Sequence, residues 1–328
     1  MSSTKIIADN SSFRNSLRRV KGAIVSGKRA AYLGMGLKLL KPITHRLDHL
    51  IGQFNSTAEM RSNDTVPPIL MIVSPPRSGS TMIYQVLTRV IPSVYYSNFH
   101  FLFPLTASQI MQKFDLFGRK LHGFKNYYGY TPRMHDVNEG NDFMHRIFNS
   151  NITAQIRENF LTNLDWIRGG LDLPFIFKNV RYYSKISLIH QAIPEIIFLR
   201  IKREIAAVVK SELKGFESLG TFHPIPAELK ETNISDPVEF CVRQILSINE
   251  SIDLQKKEIN PDSWIEWEYE SFCEDPQAHI LPVITEKLHM NQLRLRWDNL
   301  HDNLKASNYA QQELQDIQKM ITWVNSNK

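Results

Sequence analysis

Cysteine is nearly absent from this chain of 328 residues: only Cys241 and Cys273 occur. Two thiols without His or Cys neighbours at metal-ligand spacing exclude a disulfide framework and give no reason to expect a bound metal. Free thiols in a reducing, cytoplasmic compartment are the expectation. Long hydrophobic runs are missing as well. Ala30 to Leu37, the longest apolar stretch near the N-terminus, is bracketed by Lys28-Arg29 and Lys38, and falls far short of the about 20 residues that span a bilayer. No signal peptide or anchor is read. Internal repeats and low-complexity tracts are lacking too, so one main α/β domain with decorations is expected.

Acid is scarce at one end only. Residues 1–50 carry ten Lys or Arg against Asp9 and Asp48, a local charge of +8, whereas the remainder holds 29 basic and 31 acidic residues, close to neutral at −2. The formal charge of +6 therefore belongs to the N-terminus. A body of this kind does not track a phosphate backbone, and no nucleic acid is expected as a partner.

Residues 14–53 alternate basic and apolar positions, with Leu17, Val20, Ile24, Leu37, Leu40, Ile43, Leu47 and Leu50 at helical spacing. They predict an amphipathic basic helical extension. Packing on its own domain is the plainer reading, with Leu37, Leu40, Ile43 and Leu47 turned to the body. Peripheral contact of residues 1–60 with the inner face of an anionic membrane is the other. A polar stretch over residues 54–66 reads as a linker, which divides the chain into residues 1–66 and a main domain over 67–328.

Ile69-Leu70-Met71-Ile72-Val73 is a continuous apolar run of the kind buried on both faces of a parallel sheet. Similar runs recur at Phe175 to Phe177, Ile196 to Leu199 and Trp264 to Tyr269, separated by helical patterns over Thr81–Val90, Ala154–Ile167, Ile205–Leu213, Pro237–Glu258 and Leu281–Leu288. Strands alternating with helices predict a doubly wound parallel α/β sheet.

The first strand runs into Ser74-Pro75-Pro76-Arg77-Ser78-Gly79-Ser80-Thr81, which opens a helix. A helix start offers free N–H groups and the positive end of the dipole to an anion. Gly79 permits close backbone approach, Ser78, Ser80 and Thr81 bring hydroxyls, and Arg77 brings a forked cation. A capped strand-to-helix turn is the plain alternative. Aligned on Gly79, a nucleoside-triphosphate loop needs Gly at Ser74 and Lys at Ser80, and neither is present. The later strands run into Lys178 and Arg200, cations where a magnesium site requires a carboxylate.

Pro76-Arg77-Ser78-Gly79-Ser80-Thr81 resembles the 5′-phosphosulfate loop of sulfotransferases that use 3′-phosphoadenosine 5′-phosphosulfate (PAPS). Pro194 to Arg203 resembles the family's 3′-phosphate strand, with Ser211 eight residues after Arg203; the family's Arg-Asp-Pro is Arg203-Glu204-Ile205 here. Phe177-Lys178-Asn179 is similar to its internal lysine strand. Trp267-Glu268-Tyr269-Glu270 with Asp275-Pro276 is similar to its segment beside the adenine. The likeness covers about residues 68 to 290, and the first loop is its most specific part.

The resemblance implies a P-loop-containing nucleotide hydrolase-like fold and transfer of a sulfuryl group from PAPS, without metal, to a hydroxyl or amine, leaving adenosine 3′,5′-bisphosphate. It implies cofactor contacts at Arg77, Ser78, Gly79, Ser80, Thr81, Arg203, Ser211 and Tyr269, and stabilisation of the leaving oxygen by Arg77 and Lys178. The general base is less legible. Where phenol and steroid sulfotransferases read Lys-Thr-His, this chain reads Lys178-Asn179-Val180, and where tyrosylprotein sulfotransferases place Glu, Pro92 to Asn98 ends in Asn. Glu139 is the first candidate, followed by Asp142, Asp136 and His100, and each acid can equally be a helix N-terminal charge.

Residues 97–170 are expected to hold the acceptor. Phe99, Phe101, Phe103, Tyr127, Tyr128, Tyr130 and Trp166 suit a glycan or glycolipid, by stacking on sugar rings. A non-catalytic nucleotide-binding protein on the same fold and a P-loop kinase stand as the alternatives.

Overall fold

The computed structural model describes residues 20–22, 24–25, 27–54, 66–117, 124, 126–148, 152–220, 222–290 and 311–327. In chain order they form α1 (Arg29–Phe54), β1 (Ile69–Val73), α2 (Ser80–Val90), β2 (Val94–Tyr95), α3 (Asn98–Leu102), α4 (Ala107–Lys113), α5 (Asn141–Ile147) and α6 (Thr153–Arg168). There follow β3 (Phe175–Lys178), α7 (Ile186–Ala192), β4 (Ile196–Lys202), α8 (Ile205–Leu219), α9 (Pro237–Lys256), β5 (Trp264–Glu268), α10 (Tyr269–Glu274), α11 (Pro276–Pro282) and α12 (Gln311–Ser326).

The strands join in the order β2-β3-β1-β4-β5, every neighbouring pair parallel. β1 lies at the centre with all five residues buried, which is why its sequence has no polar alternation. Side chains alternate between two cores. Ile69, Met71, Phe175, Phe177, Ile196 and Phe198 pack on one face with Phe143, Phe160 and Ile248. Leu70, Ile72, Ile176, Leu199 and Ile201 pack on the other with Leu87, Phe272 and Ile280. Helices therefore cover both faces, as the doubly wound pattern requires. β1 is flanked by β3 and β4, so the chain crosses in opposite directions on its two sides, and the crevice beyond its carboxyl end is a topological switch point. Register pairs Ile72 with Lys178 and Val73 with Arg200, which brings the loop after β1, Lys178 and the end of β4 to one sheet edge.

Element limits differ from expectation where local chemistry decides. β5 stops at Glu268 because Tyr269 opens α10. α8 runs beyond Leu213 to Leu219 and ends at Gly220, whose φ of 70° supplies a left-handed cap. The helix expected over Leu281–Leu288 begins earlier, as α11, and continues past Pro282 as a π-turn over Val283–Lys287. The two-residue β2 was too short to announce itself. Most of the expected linker, residues 55–65, lies outside the described residues.

The N-terminal extension packs on the body, but not with the apolar residues expected to do so. Of Leu37, Leu40, Ile43 and Leu47, only Leu37 is buried. Contact is made through a small apolar cluster of Ala30 and Ala31 with Tyr127 near the start of α1 and, over its second half, through polar groups. Asp48 accepts hydrogen bonds from the Leu105 and Thr106 amides at 2.7 and 3.1 Å and from the Thr106 hydroxyl at 2.6 Å. His45 Nε2 lies 2.9 Å from the Phe101 carbonyl, and Lys41 pairs with Asp142 at 2.7 Å. Asp48 thus serves as an external anchor for the segment that starts α4, which fixes the helix's rotation more tightly than a nonspecific apolar stripe would.

Candidate active site

The loop between β1 and α2 owes its shape to two residues in the left-handed backbone region, Arg77 at φ 64° and Gly79 at φ 90°. At Gly79 glycine is required twice over: its φ disfavours a side chain, and a Cβ there would stand 2.1 Å from the Tyr269 ring. Gly79 caps α2 without a side-chain hydrogen bond, so the first amides of α2 keep the donor capacity that a helix start provides. Ser80 and Thr81 line the cavity in front of the loop, whereas the Ser78 side chain is buried behind it without a hydrogen-bond partner.

Two clusters of charged side chains meet this loop. In the first, Arg77 Nε donates to Ser211 Oγ at 3.1 Å, and Arg203 Nη1 donates to the Arg77 carbonyl at 3.0 Å. Each guanidinium also lies over an aromatic ring, Arg77 over Tyr128 at 4.8 Å and Arg203 over Tyr269 at 4.6 Å. Arg77, far in sequence from Arg203 and Ser211, is thereby gathered with them at one end of the cavity. The buried Arg203 Nε has no hydrogen-bond partner, and the Glu270 carboxylate lies 3.7 Å away. A phosphate oxygen at this end would meet forked cations and a hydroxyl, so the residues fit a phosphate monoester.

The second cluster centres on Lys178 at the end of β3. Its ammonium donates to Thr81 Oγ1 at 2.8 Å and to Glu139 Oε1 in a short ion pair. Asn179 Nδ2 donates to the Glu139 carbonyl and to Asn141 Oδ1, each at 3.1 Å, and so holds the backbone that carries the carboxylate. Burial alone would raise the Glu139 carboxyl, but the Lys178 ammonium, with Arg181 and Arg77, holds it below the ordinary carboxylate range. Glu139 is therefore an ionised acceptor group at neutral pH.

Both clusters open into a single cavity of about 930 Å³, near the upper end of the range for small-molecule sites. Its wall carries Lys38, Arg77, Lys178, Arg181 and Arg203 against two carboxylates, Glu139 and Glu212, a lining suited to a polyanion. Of the four candidate bases only Glu139 reaches this wall. Asp142 is paired with Lys41, and Asp136 accepts the Arg133 amide at 3.0 Å in a local turn, its carboxyl pushed up to about 6 chiefly by burial. His100 is a structural cap: its Nδ1 accepts the Ser97 amide at 3.1 Å and its Nε2 lies 2.8 Å from Ser108 Oγ. Burial lowers this imidazole to about 3.

The rest of the cavity wall is built by parts that the sequence connected weakly or not at all. Tyr127, Tyr128 and Tyr130 line the cavity, whereas Phe99, Phe101, Phe103 and Trp166 do not. The tyrosines form a tight turn closed by a Tyr127–Tyr130 bridge, with Gly129 at φ 91° against the Glu139 carboxylate. Tyr128 fastens the turn to α8 by donating to the Lys214 carbonyl at 3.1 Å. Ala31, Gly34, Met35 and Lys38 of α1 complete the wall. Glu212 had no signal beyond adjacency to Ser211; burial pushes its carboxyl up to about 7 against the opposing pull of Arg77 and the His223 amide.

Comparison with known proteins identifies the family. A family model described as the sulfotransferase family matches residues 68–286. Among solved structures, the fold is similar to sulfotransferase STF9 from Mycobacterium avium, at 12% identity and a TM-score of 0.50 over 86% of this chain and 81% of that one. Sulfotransferase STF1 from Mycobacterium tuberculosis H37Rv aligns at 11% identity and a TM-score of 0.48, over 98% and 96% of the two chains. A sulfotransferase from Alicyclobacillus acidocaldarius aligns at 12% identity and a TM-score of 0.44, over 80% and 93%. No curated protein matches the sequence.

Proposed function

Because the chain belongs to the sulfotransferase family, we propose that it transfers a sulfuryl group from PAPS to a hydroxyl or amine acceptor, a glycan or glycolipid, and releases adenosine 3′,5′-bisphosphate. The observation that carries this reading is the convergence of Arg77, Arg203 and Ser211 at one end of a cavity whose other cluster is Lys178, Thr81 and Glu139. Arg203 and Ser211 hold the 3′-phosphate; Arg77, the α2 amides, Ser80 and Thr81 hold the 5′ end, where Arg77 assists Lys178 at the leaving oxygen; Tyr269 lies beside the adenine. Ser78 contributes through its backbone rather than its buried hydroxyl.

In the transfer step Glu139 takes the acceptor proton as the acceptor oxygen or nitrogen bonds to sulfur. The sulfur–oxygen bond to the bisphosphate breaks, and the departing oxygen keeps the electron pair, which Lys178 neutralises. The ion pair seen between Lys178 and Glu139 links the two duties. When Lys178 turns to the leaving oxygen, Glu139 loses its nearest cation and becomes a stronger base. No step here requires a metal. Residues 67–328 form the catalytic domain in this reading, with residues 1–66 as an extension that lends α1 to the acceptor wall. Cys241 and Cys273 are free thiols, which suits a cytoplasmic setting.

Incubation with PAPS labelled in its sulfuryl group and a panel of glycans, glycolipids and peptides tests the reaction directly, and absence of transfer to every acceptor would favour a non-catalytic binding protein. Binding of adenosine 3′,5′-bisphosphate without added metal tests the site. Arg203→Ala should weaken that affinity roughly tenfold or more, the value of one charge-assisted contact. If 5′-AMP binds as tightly as the bisphosphate, the assignment of the 3′ end is wrong.

A further inference from the structure

Helix α1 presents two faces of opposite chemistry. Toward the body it turns Ala30, Ala31, Leu37, Thr44 and Asp48, all buried. Outward it carries Leu39, Leu40, Ile43, Leu47, Leu50 and Ile51, which are between 47% and 77% exposed. These six side chains recur at helical spacing and form one ridge roughly 18 Å long at the rise of an α-helix. A contiguous apolar patch of this kind is uncommon on a surface that faces only water.

Charge on the helix narrows what can cover the ridge. Arg29 and Arg46 are exposed, whereas Lys28 and Lys38 lay their ammoniums over Tyr127 and Tyr130 of the body. The only acid between Arg29 and Phe54 is Asp48, and its carboxylate is consumed by the Leu105 and Thr106 donors. The outward face is thus apolar and cationic with no negative group of its own. A second copy of the same ridge would bring the cations flanking it, Arg29 and Arg46, near like charges with no free carboxylate on either helix to pair them. An anionic lipid surface offers what the face needs: an acyl boundary for the ridge and phosphates for the cations around it. No helix among the described residues is long and apolar enough to cross a membrane, so the contact is one of lying on the surface.

We propose that the outer face of α1 docks the protein on an anionic bilayer, with the Leu39–Ile51 ridge in the acyl boundary and Arg46 beside it at the headgroups. The inference stands on the helix alone and does not depend on the transfer reaction.

Co-sedimentation of the full chain with vesicles decides it, using phosphatidylcholine alone and phosphatidylcholine mixed with phosphatidylglycerol. Binding is expected to the mixed vesicles, weaker in high salt, and reduced about tenfold or more by Ile43→Glu or Leu47→Glu. Both variants should keep the melting temperature and the affinity for adenosine 3′,5′-bisphosphate. Failure to bind the anionic vesicles, or equal binding to phosphatidylcholine alone, overturns the proposal. So does a fall in melting temperature in both variants, which would mean that the chain itself covers the ridge, or conversion of a dimer to a monomer, which would mean that a second copy does. Loss of bisphosphate binding by the unaltered protein would instead count against the sulfotransferase site and leave the docking surface untouched.

Discussion

Arg77 is held at a positive φ that costs a non-glycine residue of order 1 kcal/mol or more, and its side chain is clasped between Ser211 and the Tyr128 ring. In the proposed reading that strain preorganises the loop for an anion. Lys178 occupies the other cluster, and its proposed work is on charge that appears only during transfer. Lys178→Ala should therefore lower kcat far more than it lowers affinity for the bisphosphate, as single-turnover kinetics and calorimetry would show; equal losses would make it a binding residue. Glu212 is a carboxyl with a different signature. Its folded value of about 7 lies above the ordinary 4.5, so the folded protein keeps a proton that the unfolded chain has released. Its effect on stability is therefore least harmful at low pH and becomes a penalty as pH rises through about 7. Glu212→Gln should raise the melting temperature at pH 8 relative to the parent and leave it little changed at pH 5.

At the scale of the element, α1 is anchored by the Asp48 carboxylate together with a small apolar contact of Ala30, Ala31 and Met35 on Tyr127, Tyr128, Tyr130 and Leu219. Asp48→Ala leaves two backbone amides and the Thr106 hydroxyl without their acceptor, and each buried donor left unpaired costs about 1–3 kcal/mol. Differential scanning calorimetry should record a melting temperature lower by at least a few degrees, whereas Leu40→Ala on the outer face should change it little. Deleting residues 1–60 is expected to keep bisphosphate binding, because Arg77, Arg203 and Ser211 all lie in the body. It should impair turnover on the acceptor, because Ala31, Gly34, Met35 and Lys38 belong to the cavity wall. Loss of bisphosphate binding in a folded deletion product would show that α1 also supports the cofactor end.

For the whole molecule, the proposed cosubstrate would tie together segments that meet only after folding: the loop after β1, the ends of β3 and β4, and the start of α10. Adenosine 3′,5′-bisphosphate at one hundred times its dissociation constant should stabilise the native state by about 2.7 kcal/mol. A thermal shift of several degrees should therefore appear with the bisphosphate, persist in a strong chelator, and shrink when 5′-AMP is used at the same concentration. A shift that vanished with the chelator would require a metal in the site.

Some of this was legible in the sequence because it depends on neighbours along the chain. The all-apolar run at Ile69–Val73 meant a strand buried on both faces, the order of strands and helices meant a doubly wound sheet, and Gly79 marked a strand-to-helix junction. These are local properties, set by backbone sterics and by periodic burial. What only the tertiary structure decided was which side chains meet. Glu139 was separated from Asp142, Asp136 and His100 by whether each faces the cavity, a matter of helix rotation and loop path that charge patterning does not encode. Tyr128 met Arg77, and α1 met the cavity, across long sequence separations. The apolar periodicity of α1 correctly announced a helix, but the packing of Asp48 on Leu105 and Thr106 turned most of that stripe outward. Buried hydrogen bonds have a direction and hydrophobic contacts do not, so three donors converging on one carboxylate settled an orientation that periodicity had left open.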